Sequence, residues 1–304
     1  MAAENNCFKT WSSHLNLIRS IGITSRTDEY ICPLCLHGFS ESQIDQLSME
    51  DVPQKALGGS KITITCKKCN NTCGHTIDNH LVNYLEYCDN KQFLPQSDRK
   101  VKILNADGEN SLNATLLVSN SGELSISIDQ LRNNPDVFEA SSKLMKDGNI
   151  VYLQDMQKKI NYGNLSAAIL KNAYLILFAN CGYSFLLDNY YNRLRSMIMS
   201  PNQDSLSKYM WTIQKQINTN DGIYLTCDNR FRGFVVIYTL DKRQRYRVMV
   251  FIPTPMIPYE DAVFNLIDFE QKALPVIRGN FAEYKDSKDN IINIRNWVYS
   301  WKIT

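Results

Sequence analysis

Four of the nine cysteines fall into two short pairs, Cys32-Pro33-Leu34-Cys35 and Cys66-Lys67-Lys68-Cys69, with 30 residues between them. Two residues between the sulfurs let one tight turn direct both thiolates at the same ion, and two such turns complete a tetrahedron. The spacing predicts a zinc site with Cys32, Cys35, Cys66 and Cys69 as ligands. Because four sulfurs leave no open position for water, the predicted zinc stabilises the fold and is not catalytic.

The segment between and after the cysteine pairs has the pattern of two strands and a helix. It contains Glu50-Asp51-Val52-Pro53, a Gly58-Gly59 turn, a β-type run from Lys61 to Thr65, and Asn70 directly after the last cysteine. A helix is predicted to continue to about Tyr87, since its apolar residues follow helical spacing. These apolar residues are Ile77, Leu81, Tyr84 and Leu85.

On the acidic-x-Val-Pro element, the glycine turn and the Cys-x-x-Cys-Asn end, residues Cys32 to about Leu85 resemble the zinc-stapled HNH endonucleases. In that family a ββα-metal unit holds a divalent ion, and a histidine activates water against a DNA phosphate. The resemblance implies that Glu50 and Asn70 hold Mg²⁺ or Mn²⁺, hard cations that prefer oxygen ligands. Asn71 and His75 are neighbouring candidates.

The sequence departs from the family at two positions: Asp51 stands where the general-base histidine is expected, and Lys61 lies near the place of the middle asparagine. Three alternatives follow. Asp51 acts as a carboxylate base or second metal ligand, His75 supplies the imidazole, or the site does no chemistry and keeps the zinc fold for binding.

Two functions are therefore expected from different classes. The first is a metal-dependent endonuclease that hydrolyses DNA phosphodiester bonds, with Glu50, Asp51, Asn70 and His75 as catalytic residues. The second is a catalytically inactive HNH-like zinc module that acts as a DNA-binding or assembly protein. Nucleases of this resemblance often serve in restriction or antiphage defence, and a bacterial defence role is an expectation by analogy.

The 304-residue chain is long enough for two compact cores. We predict a zinc-stapled module over 1–95 and a larger α+β body over 96–304, separated by a polar linker from Cys88 to Lys100. In the body, a three-strand meander is followed by helices, one of which ends at Gly182, and then by further strands. This body is expected to recognise the target or a protein partner.

A net charge of +2 excludes nucleic-acid binding through overall charge, so any such contact must be local. The C-terminal hairpin concentrates basic residues, interleaved with the aromatic residues Phe231, Phe234, Tyr238 and Tyr246, and this pattern is typical of a surface that holds phosphates and stacks bases. The candidate DNA-contacting residues are Arg230, Arg232, Lys242, Arg243, Arg245 and Arg247.

The N-terminal residues, Met1 to Trp11, show no basic segment followed by an apolar one, and this predicts a cytoplasmic protein with reduced cysteines. The apolar stretch from Ala167 to Leu187 is interrupted by Lys171, which favours a buried helix over a membrane span. The sequence contains no glycine-rich phosphate loop, GxSxG or HExxH element, so the common nucleotide-fold, α/β-hydrolase and zinc-protease functions are not indicated.

Overall fold

The computed structural model describes residues 2–104, 111–146, 152–156, 160–201, 205–226, 228, 230–269, 274–279 and 287–300. Contacts divide the chain into two compact units. One contains residues 1–82 and 161–304, and the other contains 83–160. The boundary predicted from sequence, at residues 95 and 96, lies inside the second unit.

The architecture is mixed α+β, as predicted. The helices are α1 (Ala2–Ser20), α2 (Lys67–Cys73), α3 (Asn79–Lys91), α4 (Pro135–Lys146), α5 (Tyr162–Cys181), α6 (Tyr183–Leu186), α7 (Asn192–Met199), α8 (Tyr259–Ile267) and α9 (Lys288–Ser300). The strands are β1 (Tyr30–Ile31), β2 (Gly38–Phe39), β3 (Leu47–Val52), β4 (Ser60–Cys66), β5 (Asp98–Leu104), β6 (Ser111–Val118), β7 (Leu124–Ile128), β8 (Tyr152–Asp155), β9 (Trp211–Gln214), β10 (Gly222–Thr226), β11 (Gly233–Asp241), β12 (Arg245–Pro253) and β13 (Val276–Arg278).

The cysteine region of the first unit is built from two small antiparallel pairs, β1 with β2 and β3 with β4. The chain turns back between β3 and β4 at Gly58, whose φ of 82° is the left-handed conformation that glycine adopts without steric cost. Helix α2 follows β4 directly, and a π-helical turn, Gly74–Asp78, separates it from α3, so the single helix predicted to continue to about Tyr87 is divided.

Helix α5 is the centre of the first unit. It is apolar on all sides, with Leu165, Ile169, Tyr174 and Phe178 fully buried, and a helix of this composition must be covered all round. It packs against α7, β4 and the central strands β11 and β12. The helix ends at Gly182, as predicted, where φ is 58°.

The C-terminal sheet has five antiparallel strands in the order β13-β10-β11-β12-β9. The predicted hairpin corresponds to β11 and β12, which pair in continuous register from Gly233 opposite Pro253 to Asp241 opposite Arg245. Strand β11 carries the uninterrupted apolar run Phe234 to Tyr238, all buried, as expected for a strand covered on both faces.

The cysteine region and the C-terminal part of the chain share one core. Trp11 of α1 lies 4.5 Å from the ring of Phe178 in α5. The hydroxyl of Tyr183 donates to the carbonyl of Ile31 at 2.7 Å, and Tyr174 donates to the carbonyl of Pro33 at 3.0 Å. These contacts hold the first cysteine turn against buried tyrosines that lie about 140 to 150 positions later.

The second unit is a four-stranded antiparallel sheet in the order β7-β6-β5-β8. The predicted meander is therefore present, with β8 added beside β5. Strand β6 alternates buried Leu112, Ala114, Leu116 and Val118 with outward residues. The predicted linker is shorter than expected, because α3 extends to Lys91 and β5 begins at Asp98.

Within the described residues, no helix is long and apolar enough to cross a membrane. The stretch that required this test contains α5 and α6, where Lys171 is fully buried within the protein.

Candidate metal centre and neighbouring buried charges

The four predicted zinc ligands come together. Cys32 and Cys35 lie in the turn after β1, Cys66 ends β4, and Cys69 lies in the first turn of α2. Their sulfurs all lie within 4.8 Å of one another. Cys35 is exposed and the other three are buried, so the cluster lies at the surface with one ligand facing solvent.

The geometry of the cluster fits a zinc ion. Tetrahedral zinc with Zn–S bonds of about 2.3 Å places neighbouring sulfurs about 3.8 Å apart. The sulfurs of Cys35 and Cys66 are 3.8 Å apart. The backbone N–H of Cys66 donates to the Cys32 sulfur and that of Cys69 to the Cys66 sulfur, each at 3.4 Å. Such donors stabilise thiolates, so this set of four can hold a structural metal ion.

The pKa values of the four cluster thiols are shifted in opposite directions. Hydrogen bonding from Cys32 lowers the pKa of Cys35 to about 7, and the same neighbour lowers the pKa of Cys66. Burial raises the pKa of Cys73 to about 12. Burial raises the pKa of Cys32, and hydrogen bonding with Cys32 raises that of Cys69, so the thiolate form is favoured at Cys35 and Cys66 only. Cys73 stays protonated and unreactive.

Glu50, the predicted first ligand of the divalent ion, is buried and already has partners on both carboxylate oxygens. Its Oε1 accepts a hydrogen bond from the Lys171 ammonium group at 2.8 Å. Its Oε2 accepts one from the Thr65 hydroxyl at 2.9 Å. Strand β3 directs Glu50 inward toward α5, and a buried carboxylate must be paired in this way.

Lys171 also contacts a second carboxylate. Its Nζ lies 2.7 Å from Oδ2 of Asp78, and Oδ1 of Asp78 accepts from the Gln54 amide at 2.8 Å. The Lys171 side chain has no exposed surface. Burial lowers the pKa of Lys171, but the attraction of Asp78 and Glu50 outweighs it and raises the pKa to about 12. The ammonium group is therefore charged and lies between two carboxylates.

The other predicted catalytic residues are not joined to Glu50. The Asn70 amide donates to the Ser48 hydroxyl at 2.8 Å. Asp51 is half-buried and lies opposite Lys61 in the β3–β4 register, which shifts between Glu50 and Asp51. His75 is exposed in the turn after α2. Among the described residues, no hydrogen bond or ion pair links Glu50 to Asp51, Asn70 or His75.

The basic residues of the C-terminal hairpin are largely paired with neighbouring carboxylates. Arg230 lies 2.7 Å from Asp228, Arg245 lies 3.0 Å from Asp241, and the Arg247 guanidinium group lies 2.7 Å from Asp221. Burial lowers the pKa of Arg232, which is half-buried. Lys242 and Arg243 lie at the turn between β11 and β12.

The aromatic residues predicted to interleave with these charges cannot stack on bases. Phe231, Phe234, Tyr238 and Tyr246 are all buried. Phe234 and Tyr238 belong to the buried run of β11, Tyr246 lies on β12, and Phe231 precedes β11, so all four are part of the core. The expectation of an aromatic stacking surface on this hairpin is therefore wrong.

A cleft of about 960 Å³ opens beside the cysteine cluster. Cys35, Cys66 and Cys69 form part of its wall. Leu36, Phe39 and Met199 give it an apolar lining, and Lys67, Lys68 and Asp45 add charged groups. Lys67 and Lys68 are exposed, and neither has an ion-pair partner among the described residues.

The sequence-based prediction missed Lys171 and Asp78. The signal for Lys171 was present, because a single lysine inside an otherwise apolar helix implies a buried cation that needs a carboxylate. Asp78 had no comparable signal, since an aspartate near a helix start is ordinary on a surface.

No protein-family model, no curated protein and no solved structure matches this chain. The resemblance to HNH endonucleases therefore rests on the motif residues alone.

Proposed function

We propose that the protein is a catalytically inactive, HNH-like zinc module that binds DNA. The observation that supports this function best is the ammonium group of Lys171 between Glu50 and Asp78. A divalent ion at Glu50 would lie beside the positive charge of this ammonium group, and both Glu50 oxygens already accept a hydrogen bond. The positive charge that a metal would supply to Glu50 is already supplied by the chain itself.

The cleft beside the zinc cluster is the proposed binding surface. Lys67 and Lys68 are exposed there, each with an ammonium group available to a phosphate. The basic hairpin is a weaker candidate, because Arg230, Arg245 and Arg247 are paired with aspartates. Phosphate contacts of this kind fix position on a nucleic acid without reading its sequence.

DNA binding is tested by fluorescence anisotropy with a labelled duplex over a series of salt concentrations. We expect the double variant Lys67→Gln/Lys68→Gln to bind more weakly and to reduce the slope of log K against log salt by about 2. The matched control, Lys9→Gln/Lys208→Gln, removes the same charge at exposed positions outside the cleft. Equal losses in both variants would contradict the assignment of the cleft.

A second candidate is the metal-dependent endonuclease. It is supported by the order of β3, β4 and α2 around the cysteines, and by the access of solvent to Asp51 and His75. In that function Lys171 would have to leave Glu50 so that Glu50 and Asn70 could hold Mg²⁺ or Mn²⁺.

Incubation of zinc-loaded protein with supercoiled plasmid and Mn²⁺ separates the two functions. The inactive module leaves the plasmid intact. Metal-dependent nicking by the wild type that is lost in Asp51→Asn or His75→Ala would instead establish the nuclease. Both variants change accessible side chains, so they test the chemistry without disturbing the buried ion pair.

A further inference from the structure

Strand β7 forms an edge of the sheet in the second unit, with β6 on one side and no strand of the described chain on the other. Its sequence is Leu124-Ser125-Ile126-Ser127-Ile128, which contains no charge and no proline. Its register with β6 is continuous, without a bulge. Edge strands usually carry a charge, a proline or a bulge, because each of these prevents pairing with another strand. Strand β7 has none of them.

The backbone of β7 offers hydrogen bonds outward. The N–H of Ser119 donates to the carbonyl of Glu123 at 2.9 Å, which fixes the hydrogen-bonded positions of the β6–β7 hairpin. Since these positions alternate along an antiparallel pair, Ser125 and Ser127 bond to β6. The N–H and C=O groups of Leu124, Ile126 and Ile128 therefore point away from β6, toward the free edge.

The side chains of the same three residues extend the apolar face of the sheet. Leu124 lies opposite Val118 and Ile126 opposite Leu116, and both of these β6 residues are buried. Helix α4 contributes Phe138 to this face. Leu124 and Ile126 are nevertheless 55% and 43% exposed, because the face is left uncovered at its edge.

We propose that β7 pairs antiparallel with β7 of a second copy of this chain, about a two-fold axis at Ile126. In this register Ile126 lies opposite the partner's Ile126, and Leu124 lies opposite the partner's Ile128. All outward backbone groups then meet outward groups, and each such pair exchanges two N–H···O bonds. A two-fold axis perpendicular to the sheet keeps the apolar faces of both copies on one side.

The sequence of β7 is complementary to itself in this register alone. Pairing centred on Ile126 places apolar residues opposite apolar residues and serine opposite serine along the whole strand. If the register shifted by one residue, the outward backbone groups of one strand would lie opposite the inward backbone groups of the other. If it shifted by two residues, one end of each strand would have no partner. Because a single short strand buries little surface, we expect a weak dimer with micromolar affinity.

Disulfide cross-linking of the full-length, zinc-loaded protein tests the register. Under mild oxidation Ile126→Cys is expected to form a covalent dimer, because the axis places its sulfur next to its own copy. Ser127→Cys alone is expected to remain at the wild-type background, whereas a mixture of Ser125→Cys and Ser127→Cys proteins cross-links. Equal cross-linking of Ile126→Cys and Ser127→Cys would overturn the proposed register.

Sedimentation velocity over a concentration series tests the surface itself. We expect a concentration-dependent dimer in the wild type and a dissociation constant at least about tenfold weaker in Ile126→Lys, since two charges then meet at the axis. Leu153→Lys, at a 45% exposed position on the opposite edge strand, is the control and leaves the dimer intact. A wild type that stays monomeric, or a control that dissociates equally, would overturn the proposal.

Discussion

Replacement of Lys171 by methionine keeps an unbranched side chain in the core of α5 but removes the ammonium group. Glu50 and Asp78 would then lose the cation that lies 2.8 and 2.7 Å from their oxygens. Removal of one partner from a buried ion pair costs about 3 to 5 kcal/mol, because the remaining charge is left uncompensated. We expect Lys171→Met to lose stability of this size at pH 7.

The pH dependence of the wild type follows from the titration of Lys171. The folded-state pKa of Lys171 is about 12, above the ordinary 10.5. Its contribution is therefore complete below pH 10.5 and is lost as pH rises through 12. Burial also raises the pKa of Tyr30 and Tyr183, so their contribution to the stability of the fold is likewise lost as pH rises. Only the difference between wild type and variant isolates Lys171.

Urea unfolding of zinc-loaded protein at pH 5, 7 and 9, followed by circular dichroism, measures these differences. The double variant Glu50→Gln/Lys171→Met is the matched control, since it removes one carboxylate together with the cation. Recovery of part of the lost stability in the double variant would show that the ion pair is the cause. We expect a similar loss at all three pH values, because the Lys171 contribution is complete below pH 10.5, and a loss below about 1 kcal/mol in Lys171→Met would refute the reasoning.

Two further predictions concern the metal and the shared core. Purified protein should contain one zinc per chain by elemental analysis. Cys69→Ser should lose that zinc and unfold at a lower temperature in calorimetry, because metal binding contributes to folding. Full zinc content in the variant would contradict the four-sulfur site. Trp11→Ala should lose about 3 to 5 kcal/mol in urea unfolding, since Trp11 is 2% exposed and packs on Phe178, whereas a loss near zero would show that α1 does not stabilise the core.

Features encoded by local spacing could be predicted from the sequence. The two cysteine pairs each need only one tight turn, so their spacing was sufficient to predict the cluster, and the cluster is confirmed. The burial of α5 and its end at Gly182 followed from apolar periodicity and from the freedom of glycine. The hairpin of β11 and β12 was likewise visible as two β-type runs joined by a polar turn.

Features that depend on distant pairing could not be predicted. The sheet order of β9 to β13 and the docking of Tyr183 on Ile31 join residues far apart in sequence, and no local pattern specifies them. The aromatic residues of the hairpin illustrate the same limit. Their spacing along the chain does not show that both faces of the hairpin are covered, because the covering helices α5 and α8 lie elsewhere in the sequence.

Glu50 shows why a motif alone leaves the chemistry open. A carboxylate on a short strand can pair with a divalent ion or with an ammonium ion, because both supply positive charge at the same oxygen atoms. The partner of Glu50 in this fold is Lys171, which follows Glu50 by 121 positions and lies on a helix outside the motif. Lys171 reaches Glu50 and Asp78 without exposed surface, so one ammonium group is shared by two carboxylates, and the residue that pairs with Glu50 lies outside the motif.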